Sequence, residues 1–237
     1  MTRDVPSVLV LFDIDGTLLD TQEAGVVAYV HAGRSVLATE FSFEGVALQG
    51  KLDHENYREA VDRHCRGVDP GVHEDAFRAA YAEALGRIAD ERGGFPACPG
   101  MVDLLDALRA DHRFEIGLLT GNWEDTGRLK IRRAGLDDAL FDCNAFADHG
   151  GHRDELVPVA RARFEHRHGI EPGRVVVIGD TPRDIRCAIA GKAVPLGVAT
   201  GIFEAERLRE EGAALAVDTV SDTGRIVSWM AEGFVER

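Results

Sequence analysis

Lysine is scarce in this chain: of its 27 basic side chains only three, Lys51, Lys130 and Lys192, are lysines. A lysine at a chemically meaningful position is therefore not drawn from an abundant background. Basic residues as a class are outnumbered as well, 27 against 41 acidic, for a formal charge of −14. Such a balance argues against a broad nucleic-acid or anionic-membrane surface. A small anionic substrate remains compatible, provided that the site supplies its own local positive charge. No apolar run approaches the ~20 residues that a membrane helix needs. The opening MTRDVPSVLV has neither the long apolar region nor the cleavage site of a signal peptide, so a soluble, cytoplasmic protein is expected. The four cysteines, Cys65, Cys98, Cys143 and Cys187, show no CxxC or metal-finger spacing and read as reduced, buried fillers. Internal repeats and low-complexity tracts are missing too.

What is there is an alternation. At 237 residues, 45% hydrophobic and 29% charged, the chain can bury a substantial core. Short apolar, β-branched runs at Val8–Phe12, Glu115–Leu119, Val175–Ile178, Leu196–Ala199 and Leu215–Val217 have the length and composition of strands. Between the later ones lie helical patterns at Met101–His112, Glu124–Ala134, Glu155–His168, Pro182–Ala190 and Glu204–Glu210. Alternation of this kind predicts an α/β fold, a parallel sheet covered by helices. One block breaks the pattern. Residues 21–94 carry helical patterns at Glu23–Leu37, His54–His64 and Glu74–Ala89 without a strand between them, and GGFPACPG closes the block. It reads as a helical subdomain inserted after the first strand, leaving residues 1–20 and 95–237 as the core.

In open parallel sheets, ligands gather at the carboxyl ends of the strands. Those ends carry the chemistry here: Asp13 and Asp15 in FDIDGTLLDT, Thr120 in GLLTGN, and Asp180 with Asp184 in VVVIGDTPRD, with Lys130 in RLKIRRAGL on a following helix. This order resembles the haloacid dehalogenase-like hydrolase superfamily. The helical block resembles the cap of its phosphoglycolate-phosphatase-like and β-phosphoglucomutase-like branch. The resemblance spans essentially the whole chain and implies a Rossmann-like core with an all-helical cap.

The resemblance also implies roles. A phosphate monoester carries two negative charges and a poor leaving group, so hydrolysis needs a nucleophile, charge neutralisation and a proton donor. Asp13 would attack phosphorus and form an aspartyl-phosphate. Asp15 would protonate the leaving oxygen and later deprotonate the attacking water, facing the same site as the chain leaves the strand and turns, with Gly16 allowing the tight conformation. Four aspartates beside a phosphate require a cation. Mg²⁺ fits an Asp13 carboxylate, the Asp15 carbonyl and Asp180, with Asp184 orienting from behind. Thr120, Gly121 and Asn122 would hold the transferring phosphoryl oxygens, and Lys130 would neutralise Asp13 and the phosphoryl group. Many relatives instead carry that lysine before the fourth strand; the matching stretch here, DHGGHRDELVP, contains none. Arg153 is the other candidate for this charge. Lys51, in LQGKLDHEN, falls in the loop that contacts substrate in relatives and would meet an anionic distal part.

Other polar residues have plainer readings. Asp20, Asp53 and Asp103 read as cap or turn residues, the histidine-rich HRDEL and EHRHG groups as solvated helix faces, and Trp123 and Trp229 as packing residues. The function expected is a Mg²⁺-dependent phosphatase acting on a small phosphorylated metabolite, phosphoglycolate or a sugar phosphate. A phosphomutase of the β-phosphoglucomutase type is the alternative. A 2-haloacid dehalogenase is disfavoured by Asp15, since no alkoxide there needs a proton, and a non-catalytic phosphate- or metal-binding module by the helical insertion.

Overall fold

The computed structural model describes residues 5–37 and 41–232. Its centre is a five-stranded parallel sheet of β1 (Val8–Phe12), β2 (Phe114–Leu118), β3 (Arg174–Gly179), β4 (Val194–Val198) and β5 (Leu215–Val217), in the order β2-β1-β3-β4-β5. All five residues of β1 are buried. A strand apolar on both faces is what a sheet covered on both sides requires, and it explains why VLVLF does not alternate. The chain leaves β1 for β2 on one side and for β3 on the other, which makes the carboxyl end of β1 the switch point where the crevice opens. The register is flush there, with Phe12 opposite both Leu118 and Ile178. Asp13, Thr120 and Asp180 consequently emerge at nearly one level.

Helices α1 (Ala24–Leu37), α2 (Asp53–His64) and α3 (Pro70–Arg92) lie between β1 and α4 (Met101–Ala110). The outgoing and returning chains run side by side: Leu19 and Ala97 form an antiparallel bridge, Asp20 N donates to Pro96 O at 2.9 Å and Cys98 N to Leu18 O at 2.9 Å. In these three helices α1 packs along α3 and the rings of Tyr29, Phe41, Phe43, Tyr57 and Phe77 interlock, continuous with the core of the sheet. Tyr29 and Tyr81 stack at 4.1 Å and 6°. The remaining helices, α5 (Glu124–Arg133), α6 (Leu156–His168), α7 (Pro182–Ala190), α8 (Ala205–Glu210) and α9 (Thr223–Glu232), flank the sheet. Among the described residues no helix is long and apolar enough to cross a membrane, and all four cysteines are buried.

The observed strands lie within two residues of those expected. Two helices depart further. The third starts at Pro70, ahead of its apolar pattern, because Asp69 accepts a hydrogen bond from Gly71 N at 2.9 Å and proline suits the first helical position. It runs on to Arg92, where Gly93 takes φ 76° and ends it. Helix α9 has no counterpart in the pattern read from sequence; it buries only Ile226 and Met230 and is held by α4, a long-range partner that local periodicity does not reveal.

Glycine at position 33 is a packing requirement. A Cβ there would stand 2.2 Å from the Phe41 ring. Alanine gains about 1 kcal/mol of helix propensity over glycine, whereas forcing a methyl into a filled core costs about 1–3 kcal/mol. Gly33→Ala should therefore lower the midpoint of urea unfolding; a midpoint at or above that of the wild type would contradict this packing account.

Candidate active site

The two aspartates after β1 take different positions because the first still continues the strand and the second stands at the turn that ends it. Asp13 N still donates to Ile178 O at 3.0 Å, as a continuing strand would. Ile14 is buried, and Gly16 turns the chain with φ 77°. The same glycine makes room for Asp180, since a Cβ at position 16 would meet Asp180 Oδ2 at 2.5 Å. Thr17 Oγ1 then donates to Asp180 Oδ1 at 3.1 Å. Asp180 follows β3, and Asp184 sits in the first turn of α7, where its carboxylate accepts from Thr181 N at 3.0 Å and Thr181 Oγ1 at 2.7 Å.

Two buried cations bind three of these four acids, Asp13, Asp15 and Asp184. Lys130, 3% exposed on α5, donates to Asp15 Oδ2 at 2.7 Å and to Asn122 Oδ1 at 2.5 Å. Asn122 Nδ2 in turn donates to Asp15 Oδ2 and to Thr120 Oγ1, both at 2.8 Å. Arg153, on a single 3₁₀ turn (Arg153–Glu155) before α6, reaches Asp13 Oδ1 at 3.1 Å and also binds Asp184. The charge expected from Lys130 or Arg153 thus comes from both. Lys130 stands on Asp15 rather than on Asp13, and Arg153 takes Asp13.

Oxygens of Asp13, Asp180 and Asp184 lie within 4.8 Å of one another, all on buried side chains. Burial chiefly, with Asp184 and Asp15 adding repulsion, pushes Asp13 up to about 7 even though Arg153 and Thr120 oppose the shift. Burial, then Asp184 and Asp13, likewise raises Asp180 well above the usual carboxylate range. Burial works against the charge of Lys130, but Asp15, Tyr81 and Asp53 outweigh it and tighten its hold on the proton. Crowded, desolvated, hard oxygen donors of this kind fit a divalent cation such as Mg²⁺, whose charge would relieve the repulsion.

The inserted helices close the other side of a cavity of about 220 Å³ that is lined by the aspartates, Thr120, Gly121, Asn122, Lys130 and Arg153. Gly121 is in tight contact there, because a Cβ on it would meet Lys51 O at 2.0 Å. Lys51 lines the cavity as expected from the sequence, but its ammonium is ion-paired with Glu59. Asp53 is the residue that the sequence reading undervalued. It is buried at the start of α2, its N donates to Gly121 O at 2.7 Å, and its carboxylate accepts from Trp123 N at 2.9 Å and from the Tyr29 hydroxyl. This acid ties the inserted helices to the loop after β2. Nothing local distinguishes it from a helix-start aspartate; its partners lie 24 and 70 positions away. Asp20, by contrast, is the turn residue expected, accepting from Gln22 N at 2.7 Å.

Burial, partly offset by Lys130, the Tyr29 hydroxyl and Trp123 N, raises Asp53 to about 6 from 3.8. A raised carboxyl holds its proton in the folded state after the unfolded chain has lost it, so stability falls as pH rises between about 4 and 6. Asparagine at 53 carries no such penalty. The stability of Asp53→Asn relative to wild type should rise across this window by up to about 2–3 kcal/mol. Parallel denaturation profiles from pH 4 to 7 would contradict the assignment.

The family model for haloacid dehalogenase-like hydrolases matches residues 8–192. The pyrophosphatase PpaX of Bacillus velezensis is 25% identical over 215 residues, covering 90% of this chain and 93% of that protein. Among solved structures, β-phosphoglucomutase from Clostridium difficile superposes with a TM-score of 0.73 at 17% identity, over 96% of this chain and 98% of its own. CbbY from Rhodobacter sphaeroides, solved with xylulose-(1,5)bisphosphate, gives 0.66 at 18%, over 92% and 96%. Those two likenesses establish the fold. With the matched model covering the aspartate-bearing loops and the inserted helices alike, the chain belongs to the haloacid dehalogenase-like hydrolase family.

Proposed function

We propose that the protein is a Mg²⁺-dependent phosphatase that hydrolyses a small phosphorylated metabolite through an aspartyl-phosphate on Asp13. The observation that carries this reading is the convergence of Asp13, Asp180 and Asp184 oxygens within 4.8 Å, flanked by Arg153 and Lys130. Relatives named as pyrophosphatases agree with phosphorus chemistry.

Asp13 attacks phosphorus and takes the phosphoryl group as an acyl phosphate, with the ester oxygen leaving. Asp15, held by Lys130 and Asn122, delivers a proton to that oxygen and then accepts one from the water that breaks the acyl phosphate. Arg153 keeps Asp13 in place against the repulsion of Asp184. Thr120, Gly121 and Asn122 provide donors for the transferring oxygens. Asp13, the Asp15 carbonyl and Asp180 would hold Mg²⁺, with Asp184 orienting from behind. When bound, the ion supplies charge neutralisation and Lewis-acid polarisation of a phosphoryl oxygen. Helices α1–α3, spanning most of residues 21–94, act as a cap that excludes bulk water from this crevice.

The test is phosphate release from a panel of sugar phosphates, phosphoglycolate and pyrophosphate with and without Mg²⁺, with isomerisation of β-glucose 1-phosphate followed in parallel. Release that depends on Mg²⁺ is expected. Asp13→Asn should abolish it while the melting transition persists. Asp15→Asn should still take up a phosphoryl label but turn over about 10²–10⁴-fold more slowly. Near-normal rates for Asp13→Asn would remove the nucleophile assignment, and isomerisation outrunning release would make the enzyme a mutase.

A further inference from the structure

The cavity has two ends of different character. At the reacting end Lys130 and Arg153 face the aspartates. The wall contributed by the inserted helices instead carries Glu23, Tyr29, Asp53, Asn56 and Tyr81. Its one basic residue, Lys51, in the loop before α2, is paired with Glu59 on that helix. Every cation among the described lining residues thus already has a carboxylate partner. A second anionic group on the substrate would enter a partly dehydrated space opposite Glu23 and Asp53 with no counter-charge to meet it.

That wall does offer unmet hydrogen-bonding capacity. Asn56, 4% exposed, donates through Nδ2 to Leu48 O at 3.4 Å, which leaves Oδ1 as an acceptor; this atom is buried and has no partner. The Tyr81 hydroxyl, on a fully buried side chain, faces the Lys130 ammonium, which can only donate to it, so its own proton has no acceptor. Buried polar atoms are rarely left so. Glycine at position 25 leaves room beside the Tyr81 hydroxyl and Lys130, where a Cβ would stand in van der Waals contact at 3.7 Å and 3.9 Å. A free acceptor and a free hydroxyl, in one small cavity, match groups that both donate and accept, and an alcohol does both.

We infer that the leaving group of the substrate is a small, uncharged polyol whose hydroxyls pair with Asn56 Oδ1 and the Tyr81 hydroxyl, making Asn56 a specificity residue that favours such esters over those bearing a second anion. The inference rests on the phosphatase reading and narrows it. The volume of about 220 Å³ suits a leaving group of a few carbons, since cavities for larger ligands run to about 300–1,000 Å³. Phosphoglycolate and pyrophosphate, whose leaving groups are anionic, are then poor substrates despite the names of the relatives.

The test compares kcat/KM with Mg²⁺ for glycerol 1-phosphate, erythrose 4-phosphate, phosphoglycolate, pyrophosphate, phosphoethanolamine and p-nitrophenyl phosphate. The better polyol phosphate should exceed phosphoglycolate and pyrophosphate by about tenfold or more. Asn56→Ala should raise KM for that ester about tenfold and reduce its advantage over p-nitrophenyl phosphate, which has no hydroxyl on its leaving group. Glu59→Gln releases Lys51 and should raise kcat/KM for phosphoglycolate relative to the polyol ester. Phosphoglycolate, pyrophosphate or phosphoethanolamine as the best substrate would overturn the inference, as would an Asn56→Ala enzyme slowed equally on every ester. No Mg²⁺-dependent release from any ester, p-nitrophenyl phosphate included, would overturn the phosphatase reading itself and the inference with it.

Discussion

Carboxylates forced together out of water repel one another and lose their hydration, and removing one partner from a buried ion pair typically costs about 3–5 kcal/mol. The crevice of this protein is organised around that problem. Arg153 bridges Asp13 and Asp184, and Lys130 binds Asp15 through a net that includes Asn122 and Thr120. Both cations come from the segment between β2 and β3, whereas the acids they bind follow β1 and β3. The acids therefore stay together only while the sheet is correctly ordered, so that forming the site and forming the fold are one event.

The sheet accomplishes this through register rather than through any special bond. Phe12, Leu118 and Ile178 are level across three adjacent strands, and Asp13, Thr120 and Asp180 follow one or two residues after them. Glycines then allow the close approaches: Gly16 and Gly201 leave space for Asp180, and a Cβ on either would come within 2.5 Å of its carboxylate. Asp53 adds the link across to the inserted helices, where a hydroxyl and a backbone N–H share its two oxygens.

Much of this arrangement is readable from composition and order alone. Strands announce themselves through unbroken apolar runs, because a strand covered on both faces needs no polar residue. Asp13, Asp15, Thr120, Asp180 and Asp184 are found at strand ends and at the start of a helix, where local pattern and chemistry coincide. Long-range pairing is less legible. Lys130 could be recognised as a candidate but not assigned to Asp15, since nothing near position 130 records which acid it will meet. Lys51 shows the same limit, because the ion pair with Glu59 that occupies its charge depends on how a loop and a helix are set against each other. Asp53 was misjudged for a related reason: helix starts attract aspartate whatever their surroundings. Helix α9 buries only two side chains, so its tertiary contact with α4 is what stabilises it.

The pairing of Leu19 with Ala97 has an architectural consequence. Because the excursion from the sheet departs and returns at neighbouring points, the chain on either side of it is held together whatever the length of the helices between. Their contacts with the core through Asp53 and between α3 and α5 touch the loop and helix after β2 and not the strand that precedes Asp13. Left-handed backbone at Gln22 and Glu23, just past the junction, bends the chain outward before α1 begins. Recognition and bond-breaking can thereby diversify at separate rates within one polypeptide.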